Sequence, residues 1–173
     1  MSIHIIIDGY NLIRQSNRLS ILDLQDIQLG RDALIDMLSA YKKVKAHRIT
    51  VVFDGTRTPL FSQQRNRLKG ITVIFSHKGE SADTVIKKMA RKERQAALVV
   101  SSDQDIVQSA AASGTATVSA NDFENKLRMS MDMDSFQIDR DDYKGWQPTT
   151  KKKGPSRRMS KRRRKNRAKI RKL

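Results

Sequence analysis

The chain has 173 residues, enough for one domain with its own core, and no cysteine, which excludes disulfides and cysteine-ligated zinc and favours an intracellular setting. Its 35 Lys and Arg outweigh 18 Asp and Glu, and fourteen of those cations crowd into Lys151–Leu173 without one acid, so a body of +3 carries an arm of +14. The opening MSIHIIIDGYN lacks a basic lead and its apolar run breaks at Asp8, which excludes a signal peptide and a membrane span and predicts a soluble, cytoplasmic protein.

Five short apolar, β-branched runs are predicted strands: Ile3–Ile7, Ile49–Phe53, Ile71–Phe75, Leu98–Val100 and Thr115–Val118. Their near-continuous apolar character suits parallel strands covered on both faces. Helical spacing fills the gaps. Leu34, Leu38 and Tyr41 share a face within Arg31–Ala46, as do Val85, Ile86 and Met89 within Ala82–Glu93. Asp105–Ser113 is a short helix closed by Gly114, and Asn121 or Asp122 caps a last one running through Leu127. Gly55–Gly70 has no helical face. Alternation of strand and helix predicts an open α/β sheet over residues 1–128. Residues 129–150 read as an extension of doubtful order, packing on the domain or leaving it, and residues 151–173 as a disordered polybasic tail.

The strand ends share a feature. The first stops at Asp8, the second at Asp54 in VVFDG, and the fourth at Asp103 after LVVSS, with Asp105 two residues on. Asp83 opens the helix after GES. Any one of these is ordinarily a helix cap or turn residue. Ligands of parallel sheets, however, bind beyond the carboxyl ends of the strands, so these acids converge on one edge. Two carboxylates ~4 Å apart repel by about 4 kcal/mol at an effective dielectric near 20. A cluster therefore raises its own pKa values or recruits a cation. An all-oxygen site suits Mg²⁺ or Mn²⁺, and metal-assisted phosphodiester hydrolysis is the matching chemistry.

IIIDGYNLI, VVFDG, GESADTVI and LVVSSDQDI, in this order, resemble the NYN domain of the PIN-like nuclease superfamily, and within it the bacterial YacP-like branch. The resemblance spans about residues 3 to 128. It implies a three-layer α/β/α sandwich around a mostly parallel sheet, and endonucleolytic cleavage of RNA with Mg²⁺ or Mn²⁺, with mRNA, structured RNA or the ribosome as the setting. By motif it makes Asp8, Asp83 and Asp103 metal ligands and Asp105 a fourth catalytic acid. Asn11 and Asp54 become supporting residues; Ser102, just before Asp103, is a further supporting candidate that steadies the loop by bonding backbone or a metal-bound water.

Arg57, Arg65, Arg67 and Lys69, in the segment taken as a loop near the acidic edge, are candidate RNA contacts, as are Arg162, Arg163 and Arg164 in the tail. Arg14 and Arg18, in an early turn near the same edge, are candidates as well. Tyr10 stacks on a base or, more simply, packs beneath its loop. Tyr143 and Trp146 are expected to dock the chain end. The competing reading is a non-catalytic RNA- or ribosome-binding module on the same fold. A haloacid-dehalogenase-type phosphatase is set aside, because its second aspartate falls where this chain has Tyr10.

Overall fold

The computed structural model describes residues 2–55, 64–77, 79–135 and 160–173. In chain order the elements are β1 (His4–Asp8), α1 (Gly9–Gln15), α2 (Asn17–Gln25), α3 (Ile27–Val44), β2 (Arg48–Phe53), β3 (Gln64–Leu68), β4 (Ile71–Phe75), α4 (Ala82–Glu93), β5 (Ala97–Val100), α5 (Gln104–Ala112), β6 (Ala116–Val118), α6 (Ala120–Ser135) and α7 (Lys161–Lys172). The strands form one sheet in the order β3-β4-β2-β1-β5-β6. All its pairings are parallel except β3 with β4. The expected three-layer α/β sandwich is present.

Each layer follows from the alternation of side chains along a strand. Ile5 and Ile7 of β1 enter one core with Leu34, Leu38, Phe123 and Leu127 of α3 and α6. Ile6 enters the other, with Val85, Ile86 and Ile106 of α4 and α5. A strand covered on both sides has no polar face, which is why β1, β2 and β5 read as unbroken apolar runs.

Several boundaries differ from the sequence expectation, each for a local reason. β3 occupies a segment without helical or strand patterning: QRNRL has almost no apolar residue, and its place comes from main-chain pairing on the open edge of β4. Asp26 caps α3 through the Gln28 amide, so the helix starts before Arg31. Ser119, not Asn121 or Asp122, caps α6 by accepting from the Asp122 amide at 3.1 Å, and that helix continues past Leu127 to Ser135. Gly114 closes α5 with φ +83°, as its position implied.

The polybasic end is the larger correction. Residues 161–172 form a helix laid across the amino-terminal edge of the sheet, and Leu173 is buried in the α3–α6 core. Burial pushes the Tyr41 hydroxyl up to about 12, so it stays a donor and reaches a main-chain oxygen of Leu173 at 3.0 Å. His47 Nδ1 faces the Ile3 amide at 3.5 Å, which leaves Nε2 to donate to the Lys172 carbonyl at 3.2 Å. The Lys169 ammonium binds the Gln95 and Ala97 carbonyls. Residues 136–159, with Tyr143 and Trp146, lie outside the described residues.

Candidate active site

Strand order reverses between β1 and β5, and the crevice beyond their carboxyl ends is where this architecture binds ligands. Asp8 is the last residue of β1 and also the cap of α1. Its Oδ1 accepts from the Asn11 amide at 3.2 Å and its Oδ2 from the Ser101 hydroxyl at 3.1 Å. Gly9 lets α1 turn here, because a Cβ on it would stand 2.4 Å from the Phe53 ring. Ser101 is buried at the end of β5 and accepts in turn from the Asp103 amide at 3.1 Å, so one hydroxyl ties the two acidic strand ends together. Asn11 Oδ1 accepts from the Ser102 amide at 2.9 Å, and Ser102 Oγ accepts from Ala120 at 3.1 Å. The β5–α5 turn is thereby fixed to α1 and α6.

Asp103 caps α5 with Oδ1, accepting from Asp105 at 2.8 Å and Ile106 at 3.3 Å; among the described residues nothing donates to its Oδ2. Asp83 is in the first turn of α4. Burial, first, and the charges of Asp83 and Asp103 raise Asp8 to about 6 against the pull of its two hydrogen bonds. Burial and the Asp103 charge also raise Asp83, and Lys87 opposes them. Asp8, Asp83 and Asp103 thus act on one another.

Asp105 is exposed and ion-paired with Lys87, and its charge adds to those that raise Asp83. Lys87 was missed in the sequence; its spacing of four from Asp83 was the available signal, since i and i+4 share a helix face. Asp54 follows β2, and the Gly55 beside it has its own reason: a Cβ there would meet the Ser76 carbonyl oxygen at 1.8 Å.

Among the described residues no three His, Cys, Asp or Glu side chains close into a ready-made metal cage. The donor set nonetheless fits a hard divalent ion. A buried carboxylate with two acidic neighbours lacks a compensating charge, and Mg²⁺ is ordinarily held by one or two carboxylates plus water and phosphate.

The expected RNA contacts are dispersed. Arg57 lies outside the described residues. Arg65 and Arg67 are on strand β3, not in a loop. Lys69 is not near the acidic edge: it sits in the turn before β4, at the opposite edge of the sheet, paired with Asp36. Arg162, Arg163 and Arg164 are on α7, also at that far edge. Tyr10 packs beneath its loop, 5.1 Å from the Phe53 ring centre, and its hydroxyl accepts from Arg31.

A parallel sheet with an acidic edge at its switch point, flanked by helices on both faces, defines a protein of the PIN-like nuclease superfamily. The chain belongs to the YacP-like NYN domain family, whose profile matches residues 5–172. The match takes in α7, well past residue 128, where the resemblance read from the sequence ended. The chain is similar to the uncharacterized protein YacP of Bacillus subtilis (strain 168), with 30% identity over 87 residues. That alignment takes in 50% of this chain and 51% of the relative, so the matched stretch spans about half the relative's length. The crystal structure of Rae1 (YacP) from Bacillus subtilis superposes with a TM-score of 0.63 at 25% identity, over 80% of each chain. A mutant of the same protein gives 0.63 at 24% identity, over 80% of this chain and 87% of that one. Among the described residues no helix is long and apolar enough to cross a membrane.

Proposed function

We propose that the protein is a divalent-metal-dependent endoribonuclease that cuts mRNA or structured RNA, with the ribosome as a setting, and that Asp8, Asp83 and Asp103 hold the ion. The observation that carries this reading is the buried Asp8 carboxylate at the switch point, raised to about 6 and facing two further acids. Mg²⁺ or Mn²⁺ bound there supplies charge neutralisation at a phosphodiester and acidified water. The chain's own groups set the geometry. Ser101 fixes the separation of Asp8 from Asp103, and Asn11 locks the turn through Ser102. With Oδ1 of Asn11 engaged, its Nδ2 is the group left to donate to a phosphate oxygen. Asp105 joins the acids when Lys87 releases it. In-line attack of water breaks the bond from phosphorus to the 3′-oxygen, leaving a 5′-phosphate and a 3′-hydroxyl.

Two observations favour the second reading, a binding module without turnover: among the described residues the acids do not close into a cage, and Lys87 holds Asp105. Labelled RNA, free and on ribosomes, incubated with the protein in Mg²⁺, Mn²⁺ or EDTA separates the two. The nuclease gives 5′-phosphorylated fragments only with metal; association without fragments in every condition identifies the binding module.

A further inference from the structure

The outward face of α4 takes no part in either core. Its buried positions are Ala82, Val85, Ile86 and Ala90. Thr84, Lys88, Arg91 and Lys92 are exposed, the i, i+4, i+7, i+8 stripe of one helix face, and none is acidic. Lys88 is paired with Glu80, whereas Arg91 and Lys92 have no ion-pair partner among the described residues. Glu93 is turned to the other side, against His4 and Arg48. The stripe begins one residue after Asp83 and ends at Lys92; just past the helix end, exposed Gln95 is where α7 takes over, Lys165 Nζ donating to Gln95 Oε1 at 3.3 Å. From there Lys161, Arg162, Arg163, Arg164 and Arg167 are exposed on a helix that carries no acid. Leu173 in the core and Lys169 on two carbonyls hold that helix still.

We propose that this ridge, α4 continued by α7, is the docking surface for the phosphate backbone of base-paired RNA, and that it leads the duplex to the acidic edge. The proposal rests on the nuclease reading for what happens at that edge, but not for the docking itself. Twelve residues of α4 give a rigid rail of about 18 Å. The unpaired cations of α4, Arg91 and Lys92, fall in its last turn, where they continue the exposed cations of α7, and such charge fixed on rigid helices matches a polyanion of fixed shape. The choice of duplex over single strand comes from what the ridge lacks. Sequence-tolerant single-strand binders stack bases on aromatic rings. The exposed large hydrophobic side chains among the described residues include no aromatic ring. Duplex RNA is recognised through shape, phosphates and 2′-hydroxyls, for which Arg and Lys suffice.

The test is binding by the full chain in EDTA, where cleavage is suppressed, to an RNA duplex of about 16 base pairs, the span that duplex-binding modules contact. The wild type binds the duplex more tightly than either of its separated strands. Arg91→Glu with Lys92→Glu weakens duplex binding by about tenfold or more and lowers the slope of log affinity against log salt by about 2, as expected for two lost phosphate contacts. Arg162→Glu with Arg163→Glu does the same. Arg91→Gln with Lys92→Gln, which adds no repulsion, gives a smaller loss in the same direction. Equal or tighter binding of the single strands, or a duplex affinity unmoved by both charge reversals, overturns the ridge. The two readings fail separately. A protein that binds no duplex yet cuts single-stranded RNA in Mg²⁺ overturns the ridge and leaves the nuclease standing. One that binds duplex through the ridge and cuts nothing supports the ridge and removes the nuclease.

Discussion

At the scale of single residues, Asp8 carries the most consequence. Its carboxyl is raised from 3.8 to about 6 in the folded chain, so folding favours the protonated form. The associated stability is fully present below about pH 3.8 and is lost as pH rises through about 6. Two pKa units correspond to roughly 3 kcal/mol. In EDTA, Asp8→Asn escapes this loss, so its stability relative to wild type should rise by up to about 3 kcal/mol between pH 4 and pH 7, read by urea unfolding at both. Mg²⁺ or Mn²⁺ at pH 7 should raise the melting temperature of the wild type and leave Asp8→Asn nearly unmoved. A pH-independent difference would remove burial and the neighbouring acids as the cause. Gly55 carries a second expectation. Gly55→Ala drives a Cβ into the Ser76 carbonyl and should cost about 2–4 kcal/mol in chemical denaturation; a neutral result would mean that the turn after Asp54 relaxes freely.

Elements explain which parts were legible. β1, β2, β4, β5 and β6 were visible because strands buried on both faces are written as apolar runs. β3 was invisible because an edge strand with Arg65 and Arg67 is held by its main chain, not by its side chains. Helix α7 was hidden for a related reason. A segment of fourteen cations in 23 residues looks soluble throughout, and only the folded surface reveals a slot for Leu173 and carbonyls for Lys169. Its docking makes the basic end part of the fold. Leu173→Ala should destabilise the whole domain by about 2–3 kcal/mol. Tyr41→Phe, which removes a buried donor to that residue, should cost about 1–2 kcal/mol. Unfolding curves that superpose on wild type for both variants would mean that α7 detaches without consequence for the core.

Across the whole molecule, charge is separated by the sheet. Acids gather at the carboxyl ends of β1 and β5, and the basic helix lies at the opposite edge. The acidic edge could be read from the sequence, because strand-end aspartates must meet wherever parallel strands align. Which of them meet could not. That Asp103 faces Asp8 through Ser101 while Asp105 turns to Lys87 depends on how α4 packs on α5, which no spacing records. The tail showed its charge but not its address. Placed across the far edge, it cannot share a scissile phosphate with Asp8; on the proposed ridge its role is to hold RNA at a distance from the chemistry.

The single-turnover cleavage rate is the most direct check on the proposal that Asp8 and Asp103 form the metal-dependent centre that cuts RNA. Wild type, Asp8→Asn and Asp103→Asn are compared on one labelled structured RNA in Mg²⁺ and in Mn²⁺, each variant first shown to melt cooperatively and to bind that RNA in EDTA. The wild type should give 5′-phosphorylated products, and both variants a rate lower by at least about a hundredfold, the scale of losing an electrostatic group at the reacting centre. Cleavage by either variant at the wild-type rate would contradict the proposal.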